Sequence, residues 1–138
     1  MAVTGFIGGG NMAEALINGM VSGGVVRGED IYVSDVDQRR LGYLEKRYGV
    51  NTSGDNAVVA GQSATLILAV KPQVMGEVLA GIKDAVRPGA LVISIAAGMR
   101  TEKIREVLGD VALIRVMPNT PALVGAGASG IYATEKAR

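Results

Sequence analysis

An apolar run, Val3 to Ile7, passes without a break into Gly8-Gly9-Gly10-Asn11-Met12-Ala13 and then into a segment of helical spacing. No other feature of the chain narrows the possible folds as much. Met12, Leu16 and Met20 recur every fourth residue with Ala13 and Ile17 beside them, while Glu14 and Asn18 point the other way. The order is strand, glycine turn, helix. In Gly8-x-Gly10-x-x-Ala13 each position has a mechanical reason. Gly8 permits the tight turn, Gly10 has no Cβ to keep a pyrophosphate from the backbone, and Ala13 lets the helix pack closely on a sheet. The helix start then offers unpaired N–H groups and a partial positive charge to an anion. The competing reading is a turn that is glycine-rich for packing alone. The strand before it and the amphipathic helix after it favour nucleotide binding.

The rest of the chain keeps the same rhythm. Gly23-Gly24 ends the first helix, and Ile31-Tyr32-Val33 is a second strand that ends at Ser34-Asp35. Gln38 to Tyr48, with Leu41, Leu44 and Tyr48 as its apolar positions, fits a helix, and a short strand is expected around Val50. Thr65 to Val70 is almost wholly apolar, as in a strand buried on both faces of a parallel sheet, and Lys71-Pro72 stops it. A helix from about Val74 to Val86 follows, with Val74, Val78, Leu79, Ile82 and Val86 on one side, and Arg87-Pro88-Gly89 ends it. Leu91 to Ile95 is another buried strand. Thr101 caps a short helix with Ile104, Val107 and Leu108 inward, Val111 to Met117 is a sixth strand, and Gly125 to Ala133 holds one or two more. Strand and helix alternate throughout, which predicts an α/β fold of the Rossmann type: a doubly wound, mostly parallel sheet with helices on both faces.

Composition removes several alternatives. The chain has 138 residues, room for one domain with a sizeable core. It contains no Cys, His or Trp, which excludes a thiol nucleophile, an imidazole base, Cys/His metal sites and disulfides. Fourteen Lys and Arg against thirteen Asp and Glu leave a charge of +1, so no nucleic-acid or anionic-membrane footprint is present. The longest apolar stretch, Ala90 to Ala97, is broken by Ser94 and falls far short of the roughly 20 residues of a membrane span. A soluble cytoplasmic protein is the expectation.

Ligands of open α/β sheets bind beyond the carboxyl ends of the strands at the topological switch point, so the strand ends are the remaining candidates. Asp35 lies 22 residues after Ala13. A carboxylate about 20 residues after the glycine turn hydrogen-bonds the adenosine ribose in NAD-binding domains, and it would repel a 2′-phosphate. Arg39 and Arg40 could instead pair with such a phosphate, with Ser34 as a donor. Asp35 as a turn or cap residue, with the arginines as solvated helix surface, is the plainer alternative. NAD and NADP both stay open. Ala69-Val70-Lys71-Pro72, Ala96-Ala97-Gly98 and Met117-Pro118-Asn119-Thr120-Pro121 form the other wall. Small residues at 96 to 98 would admit a nicotinamide ring, and Lys71 could bond a ribose hydroxyl or phosphate. Loop punctuation and a solubilising lysine are the other readings.

Four segments together resemble successive motifs of the Δ1-pyrroline-5-carboxylate reductase family, in order and at its spacing: residues 6–15, from Phe6-Ile7-Gly8 to Ala15; Leu68-Ala69-Val70-Lys71-Pro72-Gln73; Ser94-Ile95-Ala96-Ala97-Gly98; and residues 115–125, around Met117-Pro118-Asn119-Thr120-Pro121. The resemblance spans essentially the whole chain. It implies reduction of pyrroline-5-carboxylate to L-proline with NADPH or NADH. It also implies cofactor contacts at Phe6 to Asn11, Ser34, Asn56 and Ala69 to Pro72, with Ile95, Ala96 and Ala97 beside the nicotinamide. Asn119 and Thr120 would touch the substrate from the sheet side, and no residue is assigned an acid–base role. Two departures stand out. Asp35-Val36-Asp37 occupies the stretch where the family often places an Arg for the 2′-phosphate. Family members also carry an all-helical half that builds the dimer and much of the proline pocket. On this resemblance residues 1–133 are the NAD(P)-binding domain, and 134–138 begin a helix leading to a C-terminal domain absent from this chain. The alternatives are a non-catalytic NAD(P)-binding module and another imine or hydroxyacid dehydrogenase with a similar first half.

Overall fold

The apolar runs of the sequence pair with one another in a single sheet, and the amphipathic segments pack their apolar stripes onto its two faces. The computed structural model describes residues 3–95, 101–109, 111–116 and 131–133. In chain order the elements are β1 (Thr4–Ile7), α1 (Asn11–Ser22), a 3-10 turn (Gly28–Asp30), β2 (Ile31–Ser34), α2 (Gln38–Tyr48), β3 (Asn51–Ser53) and α3 (Asn56–Gln62). They continue with β4 (Thr65–Leu68), α4 (Pro72–Ile82), β5 (Leu91–Ser94), α5 (Thr101–Leu108), β6 (Ala112–Val116) and β7 (Ile131–Ala133). The sheet order is β3-β2-β1-β4-β5-β6-β7. The first six strands of the chain run parallel, and β7 lies antiparallel on β6. This is the doubly wound arrangement that the alternation predicts.

Two cores sandwich the sheet. On one face Ala13 and Ile17 of α1 and Leu41 and Leu44 of α2 close over Phe6, Ile31, Val33 and Ile67. On the other, Val59 of α3, Met75, Leu79 and Ile82 of α4 and Ile104 of α5 close over Ile7, Leu66, Leu68, Val92 and Leu113. Leu66, Ile67 and Leu68 thus feed both cores alternately, which is why β4 reads as continuously apolar. The register puts the last residues of β1 to β5 in one row with Arg115, the last but one of β6. Ile7 pairs with Ser34 and Leu68, Ser34 with Ser53, Leu68 with Ser94, and Ser94 with Arg115. No helix among the described residues is long and apolar enough to cross a membrane.

Several expectations about local structure change. A helix not foreseen, α3, occupies Asn56–Gln62, and its Asp55 side chain accepts the Ala57 N–H at 2.9 Å. Pro72 starts α4 rather than separating it from β4, because a missing N–H costs nothing in the first turn of a helix. The same helix ends at Ile82, four residues before the expected Val86. Its buried stripe is Met75, Leu79 and Ile82, whereas Val74 is 40% exposed. Thr101 is the first residue of α5. The strand expected around Val50 is β3, beginning one residue later. Of the stretch 125–133 only Ile131–Ala133 is described, as β7.

Candidate functional site

β1 lies between β2 and β4, the chain leaving it through α1 on one face and entering β4 from α3 on the other. This is the switch point of the sheet, and a crevice of roughly 440 Å³ opens there. From the β1 and β2 ends come Gly8, Ser34, Asp35 and Val36, and Asn56 comes from the start of α3. Val70, Val74, Glu77 and Val78 form the wall on the α4 side. Sequence reasoning missed Val36, Val74, Glu77 and Val78. For the two valines of α4 the signal was present: a Met75–Leu79–Ile82 stripe fits the core equally well and leaves Val74 and Val78 on the crevice.

The glycine turn is built by local necessity on one side and left open on the other. Gly8 has φ +100°, a left-handed conformation, and a Cβ there would stand 2.8 Å from the Ala69 carbonyl oxygen. Its N–H donates to the Ser34 carbonyl at 2.8 Å, and the Ala69 N–H donates to the Ile7 carbonyl at 2.8 Å. The ends of β1, β2 and β4 are thereby drawn together. Gly10, at φ −77°, has ordinary backbone, and a Cβ on it would meet nothing within 4 Å. Ala13 of α1 is buried against the sheet, Met12 is half-buried beside it, and Asn11 is exposed.

The helix starts divide into two kinds. Those of α2 and α3 are closed by carboxylates: Asp37 accepts from the Arg39 and Arg40 N–H groups, and Asp55 from Ala57. Those of α1 and α4, behind Gly10 and Lys71, carry no side-chain cap. The N–H groups of the first turn of α1 therefore have no side-chain acceptor, and a bound anion would satisfy them. Pro72 removes one such donor from α4.

Ser34 is buried, and its hydroxyl donates to Asn56 Oδ1 at 2.6 Å, tying β2 to α3 at the crevice floor. The Asp35 carboxylate takes the turn geometry: Oδ2 accepts the Gly9 N–H at 2.8 Å and Oδ1 the Asp37 N–H at 2.9 Å. Arg40 is neither solvated surface nor directed into the crevice. Its Nε donates to the Gly9 carbonyl and its Nη2 to Glu14 Oε1 at 2.6 Å. Arg39 is exposed. Glu14, which the helical pattern places off the apolar stripe, is half-buried against α2. The Tyr43 and Tyr48 hydroxyls both donate to its Oε2, at 2.7 Å each. Those two hydrogen bonds, ahead of the Arg40 guanidinium, hold the Glu14 carboxyl below the usual carboxylate range. Burial first, and then the bond to Glu14, push the Tyr48 phenol up.

Phe6 and Ile7 are wholly buried in the two cores. Ala69 and Val70 are half-buried, Lys71 and Pro72 exposed, and Ile95 is buried with its N–H donating to the Leu68 carbonyl at 3.1 Å. Ser94 Oγ and Arg115 Nε are buried and have no hydrogen-bond partner among the described residues. Ala96, Ala97, Asn119 and Thr120 lie outside the described residues, as do 134–138.

The family model described as "NADP oxidoreductase coenzyme F420-dependent" matches residues 3–98. A pyrroline-5-carboxylate reductase of Synechocystis sp. is 46% identical over 132 residues, which are 95% of this chain and 49% of that protein. A solved pyrroline-5-carboxylate reductase from Coxiella burnetii superposes with a TM-score of 0.90 at 36% identity, over 98% of this chain and 50% of that one. A Plasmodium falciparum pyrroline carboxylate reductase crystallised with NADP bound gives a TM-score of 0.79 at 28% identity, covering 97% of this chain and 48% of that one. The chain spans about half the length of the curated relatives it matches.

Proposed function

We propose, from the premise that this chain belongs to the family described as NADP oxidoreductase, coenzyme F420-dependent, that it is the dinucleotide-binding part of a pyrroline-5-carboxylate reductase. In this reading residues 1–133 hold NADPH or NADH, and 134–138 lead into a helical part that completes the substrate pocket and a homo-oligomer. The small-molecule substrate is pyrroline-5-carboxylate, the product L-proline, and the location the cytoplasm; neither nucleic acid nor membrane is a partner.

The observation that carries the dinucleotide reading is the uncapped start of α1 behind an unobstructed Gly10, two residues after Gly8, which lines the crevice at the switch point. The substrate reading is supported by identity to pyrroline-5-carboxylate reductases along nearly the whole chain. When bound, the dinucleotide supplies a hydride from its dihydronicotinamide ring for a C=N bond. The chain's own task is to bind and orient. The turn from Gly8 to Ala13 receives the pyrophosphate, Ser34, Asp35 and Asn56 border the adenosine ribose, and Ala69 to Pro72 border the other wall. Ile95, with Ala96 and Ala97, flanks the nicotinamide, and Asn119 and Thr120 approach the substrate. A protonated cyclic imine needs no further proton before it accepts a hydride, so a chain without His can serve this reaction by positioning alone.

Fluorescence titration with NADH and NADPH tests the site. Gly10→Val places a side chain where the protein itself has no atom, so binding is lost while the circular dichroism spectrum is kept. Equal affinity in wild type and variant would sink the assignment. Oxidation of NAD(P)H dependent on pyrroline-5-carboxylate, with proline as product, tests the substrate on the protein as its coding sequence specifies it. Tight cofactor binding without proline would leave the dinucleotide site standing and overturn the substrate.

A further inference from the structure

We infer that Arg40 is a positioning residue for the pyrophosphate turn and does not read the 2′ position of the cofactor; this rests on the dinucleotide reading above. A single peptide group, that of Gly9, is held from both sides. Its N–H donates to Asp35 Oδ2 at 2.8 Å, and its carbonyl accepts from Arg40 Nε. Arg40 is itself anchored, through Nη2 on Glu14 Oε1 at 2.6 Å and by its guanidinium carbon 5.2 Å from the centre of the Tyr43 ring. Glu14 is fixed in turn by Tyr43 and Tyr48. The first turn of α1, the end of β2 and the body of α2 thus close on the middle glycine of the turn.

Two consequences follow for a bound dinucleotide. The Gly9 carbonyl, the negative end of its peptide dipole, is engaged by a cation that does not line the crevice. An acceptor is thereby kept from the approaching anion, and the donors at the start of α1 meet it alone. Arg40 lines no part of the crevice, and swinging its guanidinium round to a 2′-phosphate there would break its bonds to Gly9 and Glu14, leaving the Glu14 carboxylate, one-fifth exposed, without its cation. The two-pronged contact needs a guanidinium, since a lysine ammonium on its flexible stem reaches one acceptor or the other.

The test compares dissociation constants for NADH, NADPH and adenosine in wild type, Arg40→Leu and Arg40→Lys, with adenosine measured by competition and thermal melting recorded alongside. Arg40→Leu is expected to weaken NADH and NADPH by the same factor, on the order of tenfold for one charge-assisted hydrogen bond. Arg40→Lys is expected to fall between it and wild type. Adenosine, which carries no phosphate, should bind all three alike. If Arg40→Leu does not fold, the same ratios are read from Arg40→Lys. A changed NADH-to-NADPH ratio would make Arg40 a 2′ reader, unchanged constants throughout would leave the turn independent of it, and a parallel loss of adenosine would make its role general stability. Each of these overturns the inference. Wild type that binds neither NADH nor NADPH overturns the dinucleotide reading instead.

Discussion

Gly5 sits inside β1 with its missing side chain turned toward α3. A Cβ there would overlap Ser63 Oγ, which is fixed by its own bond to the Val59 carbonyl at 2.6 Å, and would stand 2.8 Å from Val59 Cγ1. Gly5→Ala is therefore expected to destabilise the fold by about 1–3 kcal/mol through overpacking. Urea unfolding would show a lower midpoint at an unchanged slope, and an unmoved midpoint would mean that Ser63 and Val59 give way without cost. At this scale the sequence is legible where spacing alone determines a local geometry, as for the turn at Gly8 and the close packing at Ala13. It is not legible where one residue type suits two geometries. Asp35 fits a ribose or a turn equally well on paper, and in the structure it bonds the Gly9 and Asp37 N–H groups while also lining the crevice. Glu14 reads as surface because its partners Arg40, Tyr43 and Tyr48 lie 26, 29 and 34 positions away.

Among the elements, α2 carries two separable devices. Its cap, Asp37, accepts the Arg39 N–H at 3.0 Å and the Arg40 N–H at 3.4 Å. Asp37→Ala should cost about 1 kcal/mol, read as a lower melting temperature, and no loss would show that water replaces the cap. The second device is the seat it provides for Glu14. Because the folded state lowers the Glu14 pKa, it binds fewer protons than the unfolded chain near and below the ordinary carboxylate value of roughly 4.3. The resulting stability is complete above that value and is lost as pH falls through the lower folded one. Glu14→Gln removes this dependence, so wild-type stability should fall more steeply on acidification than that of the variant. Parallel curves would mean that Glu14 titrates alike in both states. Helices with a clean apolar stripe, α1 and α2, could be read in advance. α3 could not, because Asn56–Gln62 is only seven residues long and spends three of them on Val58, Val59 and Gly61, which are poor helix formers. Its one legible mark was the capping Asp55.

For the whole molecule, the order of apolar and amphipathic segments was enough to foresee a parallel sheet covered on both faces, since few other layerings bury so many β-branched runs. The strand order and the row formed by Ser53, Ser34, Ile7, Leu68, Ser94 and Arg115 were not foreseeable, because pairing partners are chosen in three dimensions. Of that row Ser34 lines the crevice, and the chain spans about half the length of its curated relatives. A sheet edge can hold a cofactor, but orientation of a second reactant and exclusion of water need an enclosing wall. The 138 residues by themselves are expected to bind NAD(P)H and yet not reduce pyrroline-5-carboxylate at an enzymic rate. Steady proline formation comparable with that of intact reductases would refute this.

Gly8 and Gly10 answer to different masters. The first is demanded twice over by the chain, through its positive φ and through the carbonyl of Ala69, so no single compensating change elsewhere would release it. The second meets no steric demand from the described residues. In a descendant that had ceased to hold a dinucleotide, selection would go on guarding position 8 for the sake of folding, while position 10 would be free to drift. The two glycines together would then date the loss: a chain with the first and without the second would be one that still folds and no longer binds.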